Sequence, residues 1–155
     1  MDALTTQGSV AAFYQKLLEC WNNQNATGFA NLFAKDGNAI GFDGSQMNGR
    51  QEIDQQISQV FKHHKVSSYI GIVREVRLLS PTVFVLRAVA GMIAPGQSNI
   101  NPAVNAIQTL VIQKEKEDFC IAVFQNTPAA FHERPELKEQ LTKELQEAFN
   151  KKQQQ

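Results

Sequence analysis

Between residues 69 and 125 the chain carries four segments with apolar residues at every second position: 69–79, 82–93, 105–114 and 118–125. Period two places successive side chains on opposite faces, so these segments read as strands. The second is the most demanding. Val83, Val85 and Val89 share one face, and Phe84, Leu86, Ala88 and Ala90 share the other. A strand apolar on both faces needs cover on both, so 82–93 is expected to be a central strand.

The preceding residues have a different period. Val10, Phe13, Tyr14, Leu17, Leu18 and Trp21 line one side of a helix. Asn25 can cap a short second helix carrying Phe29, Leu32 and Phe33, with Gly37 closing it. "NAIGFDG" alternates and stops at an Asp43-Gly44 turn, where Asp is expected for backbone reasons. Ile53, Ile57, Val60 and Phe61 then stripe a third helix that ends at His63 and His64. Beyond Pro135, Leu137, Leu141 and Leu145 define an amphipathic last helix, and "KKQQQ" reads as a frayed end. Helices segregated from a mostly antiparallel sheet give the class α+β. The length of 155 residues fits a single domain over 1–155, with a core of about 8–147 and a flexible tail after about 150.

Charge excludes some functions. Fifteen basic residues balance fifteen acidic ones, so no broad basic field exists for nucleic acid or an anionic membrane. No apolar run approaches the ~20 residues needed to span a bilayer, and the acid near the start argues against an export signal. Cys20 and Cys120 read as small buried apolar residues, and free thiols fit a cytoplasmic location. His132 has no companion at metal-ligand spacing, so no metal is expected. Phosphate-cradle and dinucleotide glycine motifs are absent, so no cofactor is expected.

The informative residues are polar ones on apolar strand faces. Arg74 interrupts Ile72, Val76 and Leu78, and Arg87 interrupts Val83, Val85 and Val89. A two- or four-residue turn near "LSPT" sets Arg74 directly opposite Arg87, and a three-residue turn does not. The same reasoning pairs Gln108 with Gln125 across the "KEKED" turn. A few polar groups on apolar walls suit a ligand pocket. Equally, the arginines can serve as ion-pair or interface residues, and a glutamine pair can simply bond across strands. Tyr14 and Trp21 have polar tips on an apolar helix face and read as core or as pocket wall. His63 and His64 read as a solvated helix end more readily than as a catalytic pair. No carboxylate sits on the apolar phase of a long strand, which counts against acid–base catalysis.

The motifs "LLECWNNQNATGFANLFAKDG", "GFDGSQMNGRQEI", "VREVRLL", "AVAGMIAPG", "NAIQTLV" and "FQNTPAAFHERPE" resemble the SgcJ/EcaC family of the SnoaL-like, or nuclear transport factor 2-like, superfamily. The resemblance covers residues 8–147 and implies a cone: a curved sheet wrapped around an N-terminal helix, enclosing a pocket. It also implies a homodimer through the outer sheet face. Arg87 stands where the family tends to have His, and Phe119 where it tends to have Trp. Two functions are expected from these readings. One is binding of a small organic molecule, anionic or polyketide-like, by Tyr14, Trp21, Arg74, Arg87, Gln108 and Gln125, with or without catalysis. The other is a dimerisation or association module whose pocket is vestigial.

Overall fold

Helix α1, Ala3–Asn22, lies along the sheet edge with its apolar stripe facing inward, and Val10, Tyr14, Leu17 and Leu18 are buried. The computed structural model describes residues 3–155, with side-chain surroundings from Thr6 onward. Met1 and Asp2, part of the reading against an export signal, lie outside the described residues. After α1 come α2 (Ala26–Asn31), β1 (Phe33–Ile40), β2 (Gln46–Asn48), α3 (Arg50–His63), β3 (Ser68–Ser80) and β4 (Val83–Ile93). A short 3-10 turn, Pro102–Val104, precedes β5 (Ala106–Glu115), β6 (Asp118–Pro128) and α4 (Pro135–Gln153).

The six strands form one open, curved sheet in the order β2-β1-β6-β5-β4-β3. Neighbours are antiparallel except β1 and β6, which run parallel. Strand β4 is an interior strand between β5 and edge strand β3 rather than at the sheet's centre, and its inner residues Phe84, Leu86 and Ala88 join the main core under α1, α2 and α3. On the outer face α4 buries Leu141 and Leu145 against Ile70, Val89, Ile93 and Ile100.

Edge strand β3 would expose a row of unpaired backbone groups, which invites pairing with another chain. Polar side chains of α1 occupy that row. Gln7 Nε2 donates to the Val76 carbonyl at 3.0 Å, and Gln15 Nε2 to that of Gly71 at 3.1 Å. Asn22 accepts from the Tyr69 N–H at 2.8 Å and donates to the Tyr69 carbonyl at 2.9 Å. Trp21 Nε1 donates to the Ser67 carbonyl at 2.9 Å. The lengths match: Gln7 to Asn22 spans about 22 Å of helix, and Tyr69 to Val76, one residue of which is extra to the ladder, about 20 Å of strand. Gly71 permits the close approach, because a Cβ there would run into the Tyr14 hydroxyl and Leu18 Cδ1.

Several expectations need correction. Asn25 does cap α2, accepting from the Gly28 N–H at 2.9 Å. Phe33 and Gly37, however, lie in β1 rather than in that helix. The register of β1 on β6 shifts between Phe33 and Asn38, and at Gly37 a Cβ would strike the Ile121 carbonyl. The "KK" of the tail is helical, since α4 continues to Gln153. The larger corrections concern two bulges. In β3 the register shifts between Val73, opposite Ala88, and Glu75, opposite Arg87. Arg74 is the extra residue, so it does not pair with Arg87. In β6, Ile112 faces Ile121 but Val111 faces Val123, leaving Ala122 extra. Gln108 therefore pairs with Asn126, and Gln125 pairs with Thr109. An inserted residue reverses the in–out alternation beyond it.

Replacing Asn22 by Leu removes two hydrogen bonds to one edge residue. The expected loss, read by urea denaturation, is about 1–3 kcal/mol, from net contributions near 0.5–1.5 kcal/mol per bond. An unchanged midpoint would show that the edge is held by burial alone.

Candidate functional site

Between the sheet and helices α1–α3 lies a cavity of about 400 Å³. Helix α1 contributes Leu17, Leu18 and Trp21, and α2 and α3 contribute Phe29, Ile57 and Val60. Phe42 and Met47 of the β1–β2 hairpin, together with Met92 and Phe124 of the sheet, add further apolar wall. Trp21 packs edge-on against Phe61 at 5.1 Å and against Tyr69 at 5.6 Å between ring centroids. Its indole N–H is already taken by Ser67, so it offers the cavity only ring surface.

The polar lining consists mainly of uncharged groups. Tyr69, Gln108 and Asn126 meet on the sheet side. A chain of hydrogen bonds joins them to Tyr14. The Tyr14 hydroxyl donates to Gln108 Oε1 at 2.5 Å. Gln108 Nε2 donates to Asn126 Oδ1 at 3.4 Å, and Asn126 Nδ2 to the Tyr69 oxygen at 3.0 Å. Tyr14 and Gln108 are fully buried, and Asn126 is 5% exposed. Among the described residues the Tyr14 hydroxyl has Gln108 as its one hydrogen-bond partner. Reversing the chain would leave the Tyr14 proton without an acceptor in an apolar core, at a cost of about 1–3 kcal/mol. Burial lifts the Tyr14 phenol far above its ordinary value, and Tyr69 adds to the shift. Burial also raises the Tyr69 phenol, partly offset by the hydrogen bond from Asn126. Both phenols are therefore protonated at neutral pH.

Among the described residues the one carboxylate on the lining is Asp43, which is exposed. The backbone N–H and side chain of Ser45 hold its pKa below the usual range. No Lys, Arg or His side chain lines the cavity among the described residues. Nor does any group of three His, Cys, Asp or Glu side chains converge as a metal-ligand set among them.

Of the six candidate residues, Tyr14, Trp21 and Gln108 belong to this cavity or the chain beneath it. The other three lie outside it. Arg74, turned outward in its bulge, makes a two-pronged ion pair with Glu144 of α4 at 2.5 and 2.6 Å. Arg87 stands exposed on the outer face, beside Glu75 and Thr109 on the flanking strands. Gln125 is exposed on that same face.

Strict alternation missed Tyr69 and Asn126. Asn126 left one trace: "CIAVF" is apolar throughout, where a regular half-buried strand would alternate, and that continuity marks the bulge. Tyr69 could have been found from Gly71, a strand glycine that signals a close neighbour on the same face.

No protein-family model matches the sequence, and no curated protein matches it. Solved structures do match. A domain of unknown function with a cystatin-like fold from Nostoc punctiforme superposes with a TM-score of 0.76 at 27% identity, covering 88% of this chain and 85% of its own. An NTF-2-like protein of unknown function from Shewanella oneidensis gives 0.63 at 12% identity, covering 76% and 95%. A ketosteroid isomerase-like protein from Erwinia carotovora atroseptica gives 0.62 at 13% identity, covering 80% and 96%. The fold is thus the open cone of the NTF-2-like proteins.

Substituting Gln108 by Leu strands the Tyr14 proton. A loss of about 1–3 kcal/mol is expected in denaturant titration. Tyr14→Phe should then cost less in the Gln108→Leu background than in the wild type, because the two share one bond. Additive costs would show that the pair is not coupled.

Proposed function

We propose that this protein binds a small, uncharged, largely apolar organic molecule in the cavity beneath α1. The supporting observation is the composition of the lining: apolar walls, three neutral polar groups converging on one side, and no cationic side chain among the described residues. That combination suits a small-molecule site. The anionic ligand expected from Arg74 and Arg87 loses its counter-charges, since both arginines lie outside the cavity. Asp43, ionised at the lining, disfavours anions further. A general base needs a carboxylate with a raised pKa in an apolar setting. Asp43 is shifted the other way, so the geometry favours binding over proton abstraction. The fold shared with a ketosteroid isomerase-like protein is compatible with an internal ligand site. The quoted motifs support placing the chain in the SgcJ/EcaC family.

A specific observation favours a second property, pairing with another copy. Helix α4 leaves part of the outer face open, where Val83, Val85, Val111 and Val123 are half-buried and Ile107 is 38% exposed. Glu75, Arg77 and Arg87 add both signs of charge to that face, which a two-fold axis can set opposite one another in a self-complementary interface. Light scattering on the wild type should give a dimer mass, and Val111→Glu should give a monomer. A monomeric wild type would remove this reading.

Two nearly isosteric fluorophores test the ligand class. Uncharged N-phenyl-1-naphthylamine should bind and quench the single tryptophan, Trp21. The sulfonated 1-anilinonaphthalene-8-sulfonate should bind about tenfold more weakly, a difference of about 1.4 kcal/mol. Arg74→Met and Arg87→Met should leave the uncharged probe's affinity unchanged. Failure of the uncharged probe to bind would refute the site. Tight binding of the sulfonate that is lost in Arg87→Met would restore the anionic reading.

A further inference from the structure

We propose that the cavity selects ligands carrying a hydrogen-bond acceptor, a ketone or ester carbonyl being the best fit, and that the Tyr69 hydroxyl donates to it. This rests on the binding reading above and adds a polarity to it. The hydrogen-bond chain has a buried end at Tyr14 and an open end at Tyr69. Tyr14 is fully buried, so its proton must go to Gln108 Oε1. An amide that accepts through its oxygen presents its NH₂ elsewhere. Gln108 therefore donates to Asn126 Oδ1, and Asn126 in turn donates to the Tyr69 oxygen. Each orientation is decided by the one before it.

Tyr69 ends the chain as an acceptor. Its own O–H finds no acceptor among the described residues, and the side chain lines the cavity. The spare lone pairs on the amide oxygens need little, because each oxygen already accepts one bond. A phenolic proton facing an apolar cavity is the group that gains most from a partner. The remaining N–H groups of Gln108 and Asn126 are also donors, so this side of the cavity presents excess hydrogen and favours an acceptor over a donor.

Tyr69 is also held in place. Asn22 takes both its backbone N–H and its carbonyl, and Trp21 packs edge-on against its ring at 5.6 Å. Burial keeps the phenol protonated, so it remains a donor across the physiological range. The Trp21 indole N–H is spent on Ser67 and does not compete for the guest. Tyr69 thus acts as a fixed donor, directed by a residue, Tyr14, that does not itself line the cavity.

Benzophenone and diphenylmethane differ by one carbonyl oxygen and test the proposal. By calorimetry, wild-type protein should bind benzophenone about tenfold more tightly, the scale of one net hydrogen bond. Tyr69→Phe should bring the two affinities together. The infrared carbonyl stretch of bound benzophenone should lie below its value in hexane and return toward that value in Tyr69→Phe. Asn126→Asp gives a second route that keeps the phenol: the new carboxylate accepts the Tyr69 proton, and the preference should vanish. Equal affinities in the wild type, or a preference that survives Tyr69→Phe, would overturn the proposal while leaving the cavity reading intact. Failure of both probes to bind would overturn both.

Discussion

The hydrogen bonds between α1 and the free edge of β3 are the constraint on which the rest of the structure depends. An open sheet has two exposed edges, and each is a row of backbone groups that water or another strand must satisfy. Here Gln7, Gln15, Trp21 and Asn22 satisfy much of one row. The residue spacing on the helix and the rise of the strand agree to within about an ångström or two. The arrangement sets the direction and height of α1 together. With α1 so fixed, Tyr14 meets Gln108 across Gly71, and Trp21 forms one wall of the cavity. The bonds that protect the edge therefore also locate the pocket.

Elements were legible in the sequence because each is several periods long. The stripe Val10, Tyr14, Leu17 and Leu18 identified α1, and the doubly apolar segment 82–93 identified an interior strand. The cap at Asn25 was legible because capping is local. The faces of β3 and β6 were not, beyond a certain residue on each strand. A bulge inserts one residue and leaves the local apolar character unchanged, yet every side chain past it changes sides. That accounts for Gln125 on the outer surface and for Asn126 in the cavity where Gln125 was expected; Arg74 and Arg87 are outside because their shared phase is that of Ile72 and Val89, the face covered by α4. Phe33 was misplaced for a related reason: an apolar residue after a short helix fits its last turn as well as a following strand. Only the pairing with β6 decides between them.

The bulges also determine how charge is distributed. Arg74, the extra residue of the β3 bulge, ties α4 to the sheet through Glu144 on a surface where solvent satisfies what the pair does not. Had the alternation continued unbroken, one Arg would have faced another on the same strand pair, and like charges there are destabilising. The register shift places Glu75 opposite Arg87 instead. One inserted residue thus removes a repulsion and frees an arginine to fasten the last helix.

The interior solves its polarity problem with neutral groups. A charged side chain in the cavity would have to be desolvated and paired, at a cost that is several kcal/mol per ion even after relaxation. Two amides and two phenols avoid that cost, because each group along the chain donates to the next until the last. A closed ring of such groups would be fully satisfied and inert. An open chain beginning at a fully buried phenol cannot reverse and cannot close, so its unmet proton emerges at a defined place, the Tyr69 hydroxyl. The same geometry keeps the core free of buried charge and leaves one directed donor for a guest. A guest that brings an acceptor completes the chain, and one that brings only a donor leaves that proton unmet.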